Sequence, residues 1–148
     1  YYYDPGFRLQ GEAPNLHMEI INGFDQKEFL LNIALGNNIN KDNVTKADFQ
    51  NKHAATIWIL LKKGIINQIE GFDKIKKDTS IFHISKRLNE GDIISDDLIG
   101  TEGQVLARIY LNCRTKQELK NKILEIQNTI KVFDIEGNNQ LLKNFNYE

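Results

Sequence analysis

The hydrophobic period of this chain changes once, at His53, and that change limits the folds open to it. Upstream, apolar residues recur at helical spacing between glycines. Leu16, Ile20 and Ile21 share one helical face in the stretch from Ala13 to Gly23. Asp25 then caps a second helix with Glu28 three residues on. Phe29, Leu30, Ile33 and Ala34 supply its buried face, and Gly36 stops it. Asn37 to Lys52 is polar and periodless, a loop with at most one helical turn.

From His53 onward, strands dominate. His53 to Leu61 is a mostly buried strand, and Gly64 to Glu70 is another, closed by Gly71. Phe72 to Lys77 suits one short helical turn. Ser80 to Arg87 alternates loosely, Glu90-Gly91-Asp92 marks a turn, and Ile93-Ile94 begins a short strand. Gln104 to Cys113 is the cleanest strand. Val105, Ala107, Ile109, Leu111 and Cys113 fall on one side, with Gln104, Arg108 and Asn112 on the other. Thr115-Lys-Gln-Glu118 is a capping box for a helix from Lys116 to Ile130, whose apolar stripe is Leu119, Ile123, Ile126 and Ile130. Lys131 to Ile135 returns as a final strand before Gly137. The class is therefore α+β, with helices first and then a mainly antiparallel β subdomain holding one late amphipathic helix. The expected division is 1–52 and 53–148.

At 148 residues the chain can bury an ordinary domain core. A net charge of -1 argues against bulk attraction to nucleic acid or an anionic membrane. The longest apolar run, Ala54 to Leu61, is too short to span a bilayer as a helix. A single cysteine, Cys113, excludes an internal disulfide and a thiolate zinc site, and it fits a reducing, cytoplasmic setting. Walker-type and dinucleotide glycine loops and His-Glu-x-x-His are absent. His17, His53 and His83 are dispersed and read as packing or surface residues. Cys113 reads as a buried inert thiol. The lysines at 62–63 and 74–77 alternate with acidic residues and read as a solvated face.

The first fourteen residues differ in kind. An aromatic run, Tyr1 to Tyr3, stops at Asp4-Pro5-Gly6, and Arg8, Gln10 and Glu12 then crowd into one loop. Asp4 is a hard oxygen donor of the kind Mg²⁺ accepts beside phosphate oxygens. Arg8 can hold a phosphate or carboxylate bidentately and neutralise charge during phosphoryl transfer. The plainer reading is a turn at Asp4-Pro5-Gly6, with Arg8 and Glu12 paired to each other. The chain opens inside an apparent strand without an initiator methionine, which suggests the downstream piece of a longer protein.

Arg8-Leu-Gln-Gly11-Glu-Ala-Pro14, running into a helix that ends at Gly23-Phe24-Asp25, resembles a segment of the ATP-grasp ligases. The branch it looks most like holds the large chain of carbamoyl phosphate synthase, biotin carboxylase and related carboxylate-amine ligases. Those proteins carry Glu-x-Asn-Pro-Arg, then a glycine three residues after the arginine and often a proline six after it. Gly11 and Pro14 meet both spacings. Phe29 to Gly36, Lys63 to Ile75, Glu90 to Ile93, Gly103 to Arg108 and the capped helix from Thr115 are similar to successive family elements, so the resemblance runs along nearly the whole chain. Two features depart from the pattern. Tyr2 stands where the family's metal-binding Glu would be, and Gly6 and Phe7 are extra residues before the arginine.

The resemblance implies that 1–52 is the end of an ATP-grasp domain and 53–148 a small β-rich subdomain. It implies ATP and Mg²⁺ as cofactors of the full-length parent, with Arg8 as catalytic residue facing the substrate carboxylate or its acyl phosphate. Asp4, in the place of the family's Asn, is the metal candidate. Arg8 and Gly11 would border the substrate, and Gln10 and Glu12 share their loop as candidates for substrate choice. The expected partners are the N-terminal remainder of the same protein, a small carboxylate and an amine; homodimerisation stays open, and neither nucleic acid nor membrane is expected. Most nucleotide contacts would lie upstream of Tyr1, leaving this piece inactive alone. The alternative is a non-catalytic β-rich binding or scaffold module. A biotinyl carrier would need Met-Lys-Met, whereas the only methionine, Met18, precedes Glu19.

Overall fold

The computed structural model describes residues 14–23, 25–38 and 53–142. The chain divides into two compact units, Tyr1–Lys52 and His53–Glu148. The first holds α1 (Pro14–Asn22) and α2 (Gln26–Ala34). Asp25 caps α2 as its sequence requires, its Oδ1 accepting the backbone N–H groups of Lys27 and Glu28 at 2.8 and 3.2 Å. At the other end Gly36 takes a φ of +72°. There the N–H of Asn37 reaches the carbonyl of Asn32 and that of Gly36 reaches Ile33, which satisfies carbonyls a helix end would leave open.

The buried face expected for α2 is not buried. None of its residues is; Leu30 and Ile33 are exposed, and Leu31 is 59% exposed. A nine-residue helix lying against another of nine has little surface with which to cover an apolar stripe. In α1 the shared face is uneven, with Ile21 buried, Leu16 half-buried and Ile20 exposed.

The second unit contains β1 (His53–Leu60), β2 (Gly64–Ile65), β3 (Gln68–Glu70), α3 (Phe72–Ile75), β4 (Ile81–Lys86), β5 (Ile93–Ile94), β6 (Val105–Cys113), α4 (Lys116–Thr129) and β7 (Lys131–Phe133). Two 3-10 turns, Asp96–Leu98 and Glu102–Gln104, lie between β5 and β6. Among the described residues every pairing is antiparallel: β6 is the centre of the sheet β1-β6-β4, and β2 pairs β5 while β3 pairs β7. The α+β class, with helices ahead of mainly antiparallel strands and one late helix, is that read from the sequence.

Register explains the core. Ile57 and Ile84 flank Ile109 from either side, Ile59 faces Ala107, and Ala55 faces Leu111, so the middle of one sheet face is aliphatic, with Lys86 and His53 at its margins. Ile123 and Ile126 of α4, with Ile130, Val132, Phe72 and Ile75, complete that core. The helix starts where Thr115 accepts the N–H of Glu118 at 3.1 Å, while Glu118 Oε2 accepts from Arg114 N–H at 2.9 Å. The carboxylate thus reaches one residue beyond the cap itself.

Two strand expectations change. Gly64 to Glu70 is two short strands in different sheets, because Ile66 turns inward to full burial between them. Its N–H bonds Asp92 O, whereas the next N–H, of Asn67, bonds Phe133 O. The side of β6 bearing Arg108 is also buried, because a central strand has neighbours on both edges and side chains over both faces. Gly71 joins β3 to α3 with a φ of +95°, and a Cβ there would lie 2.3 Å from Thr129 O. Only glycine lets the two backbones approach that closely.

Candidate functional site

Asp4, Arg8, Gln10, Gly11 and Glu12 lie outside the described residues, as does the loop over 39–52. The described residues place His17 in the first unit and His53 and His83 on separate strands of the second. Burial lowers the His17 pKa. Among the described residues no group of three His, Cys, Asp or Glu side chains could hold a metal ion, and no helix is long and apolar enough to cross a membrane.

His53 stands opposite Cys113 in the β1–β6 register. The thiol is nonetheless not activated. Burial pushes its pKa up, and the nearby charges of Glu118 and Asp78 push it further. A protonated, buried thiol is a packing group rather than a nucleophile. Beside it Asp78 accepts from the N–H and Oγ of Ser80 and pairs with Lys122, which also reaches Glu125. This cluster ties α4 to the turn before β4.

The polar face of the sheet holds the chemically distinctive group. Trp58 of β1 and Ser85 of β4 flank Arg108 of β6 in register. The Arg108 guanidinium carbon lies 4.2 Å from the Trp58 ring centroid, a cation–π stack. Its Nη2 donates to Glu102 Oε1 at 2.7 Å, and Arg87 Nη1 donates to Glu102 Oε2 at 2.8 Å. Hydrogen bonds from Arg87, and then from Arg108, hold the Glu102 carboxyl below the usual carboxylate range. The adjoining row places Tyr110 between Thr56 and His83, with the His83 and Tyr110 rings 5.3 Å apart. Along the β4 strand a shallow depression of about 240 Å³ is lined by Lys76, Ile81, Phe82, His83 and Ile84.

One carboxylate shared by two guanidinium groups, one of them against an indole ring, is an arrangement suited to anion recognition. Sequence reasoning placed Arg108 on a polar side but did not unite it with Arg87, Glu102 and Trp58. Strand register pairs Trp58 with Arg108, while Arg87 follows the end of β4 and Glu102 sits in the turn before β6, so no local pattern unites the four.

No protein-family model matches the chain, and no curated protein matches it in sequence. Solved structures do match in fold. The L-amino acid ligase of Bacillus licheniformis superposes with a TM-score of 0.71 at 14% identity, over 87% of this chain and 31% of that one. A phosphoribosylglycinamide synthetase of Anaerococcus prevotii gives 0.64 at 20% identity, over 83% of this chain and 30% of that one. The chain therefore spans about a third of the length of these solved structures. At the level of fold, both agree with the resemblance to ATP-grasp ligases.

Proposed function

We propose that this chain is the carboxy-terminal portion of an ATP-dependent carboxylate-amine ligase of the ATP-grasp kind. The observation carrying this reading is the fold shared with two solved proteins that are, by name, an L-amino acid ligase and a synthetase. The order of elements along the chain and the Arg8-Gly11-Pro14 spacing support it independently. In this reading the full-length enzyme phosphorylates a carboxylate with ATP, and an amine or similar nucleophile attacks the acyl phosphate. The carbamoyl phosphate synthase-like branch is the finer assignment, resting on the sequence pattern alone.

Phosphoryl transfer asks the protein chiefly for positioning and for cations around the oxygens. Arg8 is proposed to face the carboxylate and offset the charge of its acyl phosphate. Gln10, Gly11 and Glu12 would border the substrate. Mg²⁺, when bound with ATP, neutralises phosphate charge; none of the described residues is assigned to it, and Asp4 is the residue proposed for it.

The test is ADP formation by the full-length parent from ATP with a panel of carboxylates and amines, wild type against Arg8→Ala. Loss of one donor aimed at developing charge should lower turnover about 10²- to 10³-fold. If ATP is never consumed, or if Arg8→Ala leaves the rate unchanged, the reading fails. Tyr2 in the place of the family's Glu favours a second reading, in which the fold persists as a non-catalytic binding or scaffold module. A parent without ATP turnover under every substrate pair would select it.

A further inference from the structure

The Arg87–Glu102–Arg108 cluster carries a binding inference that does not depend on the ligase reading. A guanidinium presents Nε–H and one terminal NH₂ along a single edge, and a carboxylate lying along that edge accepts both. Glu102 does not lie that way, because it gives one oxygen to Arg108 Nη2 and the other to Arg87 Nη1. Arg108 Nε is consequently left buried without a hydrogen-bond partner, on a side chain only 10% exposed. Such an orphaned charged donor is costly in the interior. The Trp58 ring holds the guanidinium plane in place, so the unused donor stays fixed.

Glu102, by contrast, is easily vacated. Its side chain is 60% exposed, and the turn that carries it is held by other groups. Thr101 Oγ1 donates to Leu98 O and accepts Gly103 N–H, while Gln104 accepts Gly100 N–H and donates to Leu61 O. The Glu102 carboxylate can swing outward with those bonds intact. What remains is two arginines, one fully edged with donors, beside Trp58 and in register with Ser85.

The geometry points to a binding site for a ligand carboxylate at Arg108 and Arg87, with Glu102 as the built-in occupant that the ligand displaces. Carboxylate is the favoured class because a carboxylate already satisfies part of this donor set, and a planar group matches the Arg108 edge. A small dicarboxylate suits the pair, with one carboxylate along the Arg108 edge and Arg87 beside it.

Trp58 is the only tryptophan and stacks on Arg108, so its fluorescence reports on the site directly. The full chain is titrated with succinate at constant ionic strength, and with inorganic phosphate in a parallel arm. Saturable change is expected in the wild type. Glu102→Gln should bind about tenfold more tightly, since the internal competitor loses its charge. Arg108→Lys, which lacks the planar fork, should lose the response. If circular dichroism shows that Arg108→Lys is unfolded, the exposed Arg87→Ala replaces it and should weaken binding about tenfold. No saturable change with succinate in Glu102→Gln would overturn the inference. So would wild-type titration by both arginine variants, or phosphate binding in place of succinate.

Discussion

Trp58 and Arg108 stand opposite each other across β1 and β6, the guanidinium carbon 4.2 Å from the centre of the indole ring. Strand pairing holds the two backbones in place whether or not either side chain is truncated. Their stacking should therefore appear as a clean pairwise energy. A double-mutant cycle with Trp58→Leu and Arg108→Met, read by urea unfolding, should give a coupling of about 1 kcal/mol. Additive single effects would show that the contact contributes nothing of its own.

Gly71 and Gly36 share a positive φ but not their surroundings. A Cβ at Gly71 would strike the backbone of Thr129, whereas one at Gly36 meets open space. Gly36→Ala should cost only the left-handed conformation, about 1 kcal/mol. Gly71→Ala must also push apart the end of α4 and the start of α3, at about 3 kcal/mol or more. Equal losses in thermal or urea unfolding would contradict this close approach.

Ile126 and Leu31 are apolar helix residues in opposite situations. Ile126 of α4 is 1% exposed inside the aliphatic core, and its truncation to Ala should cost about 3 kcal/mol. Leu31 of α2 is mostly exposed, and Leu31→Ala should stay within about 0.5 kcal/mol. Urea unfolding of both variants checks the contrast, and a large loss at Leu31 would mean that this face is covered in solution.

The Asp78–Lys122 pair sets a pH dependence. Burial pushes the Asp78 carboxyl up, but hydrogen bonds from Lys122 and Ser80 outweigh it and hold the pKa below its ordinary value. Hydrogen bonds that Lys122 donates to Asp78, and then to Glu125, raise the Lys122 pKa. A depressed carboxylate contributes stability above its unfolded pKa of about 4, and this is lost as pH falls through the lower folded value. A raised lysine contributes below its unfolded pKa of about 10.4, and this is lost as pH rises through the higher folded value. The stability gap between wild type and Lys122→Met, about 1 kcal/mol at most, should thus hold across neutral pH and close toward pH 2. Measured gaps that match at pH 7 and pH 2 would rule the pair out as their cause.

Local chemistry was the part of this fold most legible in the sequence. Asp25 and Thr115 cap their helices as their side-chain oxygens require, and the stripe Ile123, Ile126 and Ile130 points to the core. Alternation along β6 correctly grouped Ala107, Ile109 and Leu111. It could not reveal that Arg108's side is covered too, because periodicity says which residues share a face and not what lies over it. The split between Ile65 and Gln68 was hidden for a similar reason: each piece follows its partner strand, and partners are remote in sequence. The same remoteness concealed the arginine pair. The opening loop, by contrast, offered strong local signals at Arg8 and Asp4, and those residues fall outside the described part.

The place of β6 at the middle of its sheet has a consequence for how the protein is made. Both of its neighbours, β1 and β4, precede it in the chain. As the chain is synthesised, neither of those apolar strands can find its sheet partner until β6 has followed. Pairings so distant in sequence are slow to close, because loop entropy must be overcome before contacts form. The second unit therefore passes through an interval with two unpaired strands exposed. In that interval self-association and chaperone capture compete with folding.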